Sequence, residues 1–519
     1  MTNSAASYDE VPYKSYAFAQ SHPMRLGAMA TLFGMNPKPV DRCRVLELGC
    51  AAGGNIIPMA EMFPGSEFVG IDLSRRQIED GQALLKELPL QNCQLLHKSI
   101  TDIDAGFGQF DYIITHGVFS WVPDLVQDAM LPICKENLSE HGVAYISYNT
   151  YPGWHMRGMI RDLMVYRAKS FETAEEKLAH ARVLLHFLAE VTPRRDPYGL
   201  FLKEEARHID QCDDYYLFHE YLEEHNTPLY FYQFIDKASL HRLQYLGETN
   251  FAEMLVSNFP KEVADALLAL TDDIVCMEQY MDFVRNRYFR QTLLVHDHLQ
   301  LDRDLSTNHN IRKLFFRMKG APEHLPAKLD DTPLAFRTPQ GGVFTTADPL
   351  AKAALLALFD TAKAFSFKAL IEAAQSYHDQ SLTERDLDNL EKALLGAYGV
   401  NVIECLTIAP PIQTEPGDRP QALASTRKQA EKGHMPPSLW HEPMVSDRLG
   451  LAILALCDGE HDQAKILQAL IEQVQAGCFT IADDNNQPIR NADVLRPMLS
   501  QALDTILPAL ARMGMFKLP

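Results

Sequence analysis

The sequence predicts an α/β fold: a doubly wound parallel sheet, then a mainly helical middle domain, then winged-helix-like C-terminal modules. Three observations carry this. Strand-like and helix-like runs alternate over the first 150 residues or so. The alternation stops near Gly153 and gives way to helical spacing. Two later segments repeat amphipathic helices, the first of them closed by a strand-like run. Repeated strand–helix alternation is the pattern of a parallel sheet covered on both faces.

The first strand is Arg44 to Leu48 (RVLEL), and it ends in a glycine turn. Helical spacing follows over Ile56 to Phe63. Further strands read at Glu67 to Ile71, Cys93 to Leu96, Phe110 to Thr115 and Gly142 to Tyr148, with a helix from about Arg75 to Leu88. Residues 155–190 and 212–300 read as helical, the second rich in aromatics from Tyr215 to Phe234. The expected domains are 1–154 (cofactor-binding), 155–325 (helical), 326–408 and 444–519 (both winged-helix-like). Residues 409–443, with seven prolines, read as an exposed linker or long surface loop.

Composition narrows the function classes. A chain of 519 residues is too long for one core. Its net charge of −20 repels polyphosphate, which argues against a general nucleic-acid binder and leaves a basic protein partner welcome. The nine cysteines are dispersed without a C-x-x-C pair, so zinc is not expected and reduced thiols in a cytoplasm are. Met1 to Glu10 lacks the order of a signal peptide, and no run approaches the roughly 20 apolar residues of a membrane span.

The informative stretch is Glu47-Leu48-Gly49-Cys50-Ala51-Ala52-Gly53-Gly54-Asn55, between the first strand and the first helix. Small residues there let backbone approach a ligand, and the helix start offers N–H groups. Asp72, at the end of the second strand, can accept both hydroxyls of an adenosine ribose. A dinucleotide could use Gly49, Ala51 and Gly54. S-adenosylmethionine could use Glu47, Gly49, Ala51 and Gly53. Glu47 separates the two, because a carboxylate is awkward beside a pyrophosphate and useful beside an ammonium.

The runs VLELGCAAGGNIIPMA, FVGIDLS and FDYIITHGVFSWVPD resemble a class I S-adenosylmethionine-dependent methyltransferase with a Rossmann-like fold. With YDEVPYKSYAFAQSHPMRL, SYNTYPGW, YYLFHEYLEE and NRYFRQTLLVH, the chain resembles bacterial methyltransferases that carry a methyltransferase regulatory domain. The rickettsial protein lysine methyltransferases, which modify an outer-membrane surface protein, share this arrangement. The resemblance implies that Gly49, Cys50, Ala51 and Gly53 contact the methionine part, with Glu47 near its amine. It implies Asp72 and Leu73 at the ribose and adenine, and Ser99 and Ile100 at the adenine edge, with Asp102 an alternative. It puts His116 close to the methionine moiety, and Tyr13, Tyr16 and His22 in a segment folding over the cofactor. Ala51-Ala52 departs from the family's commoner Gly-Asp or Gly-Ser.

An amine acceptor must arrive neutral, so a base or water path is needed. His116, Tyr151 and His155 are the base candidates, with His116 equally able to shape the pocket; His116 and Tyr151 are the catalytic residues expected. Phe119, Trp121, Tyr151 and Trp154 could line a channel for a methylated ammonium or simply pack. The aromatic segment 215–234 reads as core or a subunit interface, which makes the middle domain a reasonable homodimer surface. Arg285, Arg287 and Arg290 read as a solvated or salt-bridged helix face, with an acidic-substrate groove the lesser reading. The leading expectation is methyl transfer to a protein side chain, lysine included. A small-molecule methyltransferase and a non-catalytic cofactor-binding regulator are the alternatives.

Overall fold

The computed structural model describes residues 15–193, 195–376, 382–482 and 486–518. Tyr13 lies outside the described residues. Seven strands form one sheet: β1 (Arg44–Leu48), β2 (Glu67–Asp72), β3 (Cys93–His97), β4 (Phe110–Thr115), β5 (Leu138–Asn149), β6 (Leu243–Glu248) and β7 (Phe289–His296). Their order is β3-β2-β1-β4-β5-β7-β6. The first five are parallel. β7 runs antiparallel to both β5 and β6. The sheet is therefore mixed, not purely parallel.

The five early strands fall where the sequence places them. β1 is buried along four of its five residues, as a central strand covered on both faces must be. One face packs on helix α1 (Pro23–Leu32) and helix α2 (Ile56–Met62) through Leu26, Met29, Ile57 and Tyr112. The other packs Ile71, Ile113, Ile146 and Leu294 against Met130 and Phe234. Helix α3 (Arg75–Glu87) starts on Ser74, whose hydroxyl accepts from the Gln77 N–H at 3.2 Å.

The expected boundary at residue 154 does not close the sheet. β6 and β7 come from the stretch read as helical, and they supply its last two strands. β6 runs parallel to the first five and only β7 is reversed, and the long helical insert before them breaks the regular alternation that would announce them. The insert between β5 and β6 holds helices α4 (Gly153–Ala168), α5 (Ala174–Val191) and α6 (Pro197–Asp210) around their own core of Ile160, Leu185, Leu202 and Tyr221. The aromatic segment is mostly interior: Tyr221, Phe231 and Phe234 are fully buried.

The next module joins three helices, Pro349–Thr361, Phe367–Gln375 and Glu384–Gly399, to an antiparallel three-stranded sheet. Its central strand, Phe315–Met318, begins before the expected boundary at 326. It shares its core with α1 and the first sheet face.

The proline-rich stretch is no exposed linker. Residues Ala424–Glu431 are helical, and Leu439, Trp440 and His441 are buried. Glu61 of α2 accepts from the Ala424 and Ser425 N–H groups at 2.6 and 2.8 Å. Proline stops regular ladders but does not prevent packing, and here the side chains between prolines carry the contacts. The last helices, from Arg448 to Arg512, enclose Ile453, Leu470, Leu499 and Leu507. No helix among the described residues is long and apolar enough to cross a membrane.

Candidate cofactor and acceptor site

β1 and β2 pair side by side, so the glycine turn after Leu48 and the carboxylate of Asp72 end at the same sheet edge. The turn is pinned to β2: Gly49 N and Cys50 N both donate to the Ile71 carbonyl, at 2.8 and 3.0 Å. Asp72 Oδ2 accepts from Ala51 N and its Oδ1 from Ser74 N, each at 2.8 Å. Gly49 and Gly53 have φ of +79° and +77°, the left-handed region that favours glycine. Ala51 shares that region at +49° without glycine's freedom. A Cβ on Gly54 would stand 2.3 Å from the Ser15 carbonyl oxygen, so the backbone passes close above the turn.

Glu47 is buried at the end of β1. Its Oε1 accepts from Asn55 Nδ2 at 2.7 Å. Its Oε2 is buried without a hydrogen-bond partner among the described residues. Burial pushes this carboxyl up to about 8. A buried carboxylate with one oxygen unsatisfied fits the ammonium of an S-adenosylmethionine amino-acid moiety. Leu73, 45% exposed beside Asp72, offers an apolar surface to an adenine ring, and His97 Nε2 donates to its carbonyl at 3.0 Å. Ser99 and Asp102 cap each other's turn after β3, so Asp102 is spent on local structure, while Ile100 is buried against the second sheet face. Cys50 is buried, and its thiol is pushed well up by burial, which makes it inert packing.

A lid closes over this floor. Ser15 Oγ accepts from Gly54 N at 2.7 Å, and Phe18 N donates to Asn55 Oδ1 at 2.9 Å. The Phe18 ring lies 3.9 Å from the His116 ring, centroid to centroid. Tyr16 meets Tyr215 of the helical insert through their hydroxyls at 3.0 Å. His22 instead caps α1, accepting from Met24 N, and is fully buried. Asn55, Ser15, Phe18 and His441 were not anticipated. Asn55 closes the glycine motif and could have been suspected from its place; the others come together only in three dimensions.

His116 sits at the tip of β4 with Nδ1 2.6 Å from the Tyr145 hydroxyl and Phe289 edge-on at 6.1 Å. Enclosure lowers its pKa to about 4. Such a ring is a weak base for an ammonium whose own pKa is about 10. Of the expected channel, Phe119 and Trp154 are core, each 1% exposed. Tyr151 stacks on His155 at 4.0 Å and faces Tyr230 at 5.2 Å. Burial and Tyr230 raise the Tyr151 pKa, so it stays a phenol.

The three arginines part company. Arg290 is fully buried and bound by Glu248, Glu278 and Asp282 at 2.7 to 3.0 Å. Arg287 pairs with Glu248 and Glu253. The three share no helix face, since a helix ends at Arg285 and Arg290 lies on β7. Arg287 and Arg290 are salt-bridged rather than solvated, and Arg285 and Arg287 line a cavity of about 330 Å³ with Glu253, Tyr288, Phe289 and Gln291. Phe289 belongs both to this cavity and to the surroundings of His116.

Comparison with known proteins agrees with this geometry. Residues 46–144 match a methyltransferase domain family. Residues 213–296 match a predicted methyltransferase regulatory domain, and residues 418–515 a PKMT C-terminal winged helix domain. An uncharacterized protein of Rickettsia prowazekii (strain Madrid E) is 38% identical over 510 residues, 95% of this chain and 90% of its own length. The structure of PKMT2 from Rickettsia typhi in complex with AdoHcy superposes with a TM-score of 0.86 at 31% identity, covering 97% of this chain and 100% of that one. This chain belongs to the class I S-adenosylmethionine-dependent methyltransferases of that rickettsial PKMT family, with their regulatory and winged-helix domains.

Proposed function

We propose that this enzyme methylates protein side chains, lysine in particular. The observation that carries the reading is the cavity whose lining shares Phe289 with the surroundings of His116, bordered by exposed Asn286 and by Tyr288, 47% exposed. It opens to solvent, as a site must that receives a side chain still attached to a protein. The likeness to PKMT2 supports the same substrate class. Tyr288, which lines the cavity, would offer an incoming ammonium the ring face that Arg157 leaves open.

When bound, S-adenosylmethionine supplies an already activated methyl group on a sulfonium. In this reading Glu47 holds its ammonium, and Gly49, Cys50, Ala51 and Gly53 let backbone reach the methionine part. Asp72 receives the ribose hydroxyls. Leu73, Ser99 and Ile100 border the adenine. His116, neutral and fixed by Tyr145, forms a wall that excludes water from the transfer line. Neither His116 nor Tyr151 suits the role of base, so the acceptor's proton leaves by water in the open cavity. The work is done in a reducing cytoplasm, in keeping with nine free cysteines, and without nucleic acid, in keeping with the charge of −20.

The aromatic segment is mostly interior, whereas Val183, Phe187 and Val191 of the same middle domain form an exposed stripe on α5, between 56% and 65% exposed. We take this stripe as the seat of a second copy, testable by sedimentation of Phe187→Glu. The substrate test is incubation with methyl-labelled S-adenosylmethionine and a fractionated lysate of the source cell. Label recovered as methyl-lysine in a protein band supports the reading; label only in small molecules overturns it.

A further inference from the structure

Asn55 makes four hydrogen bonds in a space sealed from solvent. Its Nδ2 donates to Glu47 Oε1 at 2.7 Å and to Ser21 Oγ at 3.0 Å. Its Oδ1 accepts from Phe18 N at 2.9 Å and lies 2.8 Å from His441 Nε2. The Phe18 backbone N–H can only donate, so the amide oxygen must face it. His441 Nε2 must then carry the proton, because two acceptors cannot meet at 2.8 Å. Asn55 is 2% exposed and His441 1%.

His441 lies in the winged-helix domain, 386 residues beyond Asn55 in sequence. It is held firmly. Its φ is +61°, in a turn closed by His441 N donating to the Ser438 carbonyl at 2.8 Å. The neighbouring Glu442 is gripped by Arg317 and Lys319, and Arg317 stacks over Trp440 at 4.1 Å. Burial and the nearby Arg25 lower the His441 pKa to about 3, which keeps the ring neutral.

We infer that His441 is a positioning residue of the cofactor site: it fixes the Asn55 amide, and through Asn55 it aims the Glu47 carboxylate at the cofactor's ammonium. The C-terminal domain thus completes the cofactor pocket through Asn55. The inference rests on Glu47 receiving the ammonium, as proposed above.

The test is calorimetry on the full chain with two probes. S-adenosylhomocysteine carries the ammonium; 5′-methylthioadenosine lacks the amino-acid part. His441→Ala should weaken S-adenosylhomocysteine by about tenfold and change methylthioadenosine by less than about twofold, since only the ammonium contact is disturbed. His441→Gln, which carries an amide nitrogen at the reach of Nε2, should recover affinity to within about threefold of the parent. Equal loss for both probes, no loss for either, or a Gln variant as weak as Ala would overturn the inference. Glu47→Gln separates the two claims. If it leaves S-adenosylhomocysteine unaffected, the Glu47 role and the inference fall together. If it weakens binding while His441→Ala does not, the His441 role falls alone.

Discussion

The floor and the ceiling of the cofactor pocket are built in opposite ways. The floor uses Glu47, Gly49, Ala51, Gly53 and Asp72, all within one strand–turn–helix–strand unit whose turn is tied to β2 by Gly49 N on the Ile71 carbonyl and Ala51 N on the Asp72 carboxylate. The ceiling uses Ser15, which accepts from Gly54 N, and Phe18 and Ser21 from before the sheet and His441 from the far domain, which meet at Asn55. Every part of the floor lies within residues 47–72. The ceiling exists only once the whole chain has packed, so cofactor affinity contains a contribution from domains that never touch the reacting methyl.

The comparison can be broken at the floor most severely by Gly53→Val. A β-branched residue at φ +77° meets Ile57 and Leu95 within 3.0 Å of its Cβ. Loss of binding and a stability cost of about 2–4 kcal/mol are expected from backbone strain and overpacking, read by calorimetry and thermal melting. Asp72→Ala comes next. It removes the ribose acceptor and frees the Ala51 and Ser74 N–H groups, so S-adenosylhomocysteine should weaken by about 1–3 kcal/mol. Unchanged affinity would take the ribose role from Asp72.

Glu47 gives a protonic signature of the same floor. Burial holds it near 8 in the ligand-free protein, so at pH 7 the carboxyl is mostly protonated. An arriving ammonium favours the carboxylate, so the proton must leave. Affinity should rise with pH up to about 8 and flatten above it. Binding enthalpy at pH 7 should depend on the buffer's ionisation enthalpy, and Glu47→Gln should abolish that dependence. Buffer-independent heats in the parent would contradict it.

The ceiling is probed by Gly54→Ala, whose new methyl would collide with the Ser15 backbone. The segment before α1 should detach, seen as faster proteolysis near residue 15 with the fold intact. The smallest change runs the other way. Ala51→Gly relieves a left-handed alanine at φ +49° and should stabilise the protein by about 1 kcal/mol. A lower melting temperature would show that the turn gains more from alanine's rigidity.

The floor was legible in the sequence because its parts are contiguous and each has a local reason: a strand with an acidic end, small residues, an acid after the next strand. The five parallel strands were legible for the same cause, alternation. β6 and β7 were not, because they follow a long helical insert and β7 alone is reversed, and their runs LQYLGE and FRQTLLVH are short and surrounded by helical spacing. The burial of Leu439, Trp440 and His441 was hidden by seven prolines that look like a linker. No local pattern connects His441 to Asn55, since the pairing is made by the path of the whole chain.

The matched regulatory stretch, residues 213–296, contains β6 and β7. Deleting it to ask what it regulates would do something else. It would strip β7 from β5, leaving a twelve-residue edge strand with open N–H and C=O groups and apolar flanks. The truncated chain would offer that edge to any other strand and precipitate. For this family, loss of activity after such a deletion reports a torn sheet, and questions of control belong to point changes in the helices that leave the strands whole.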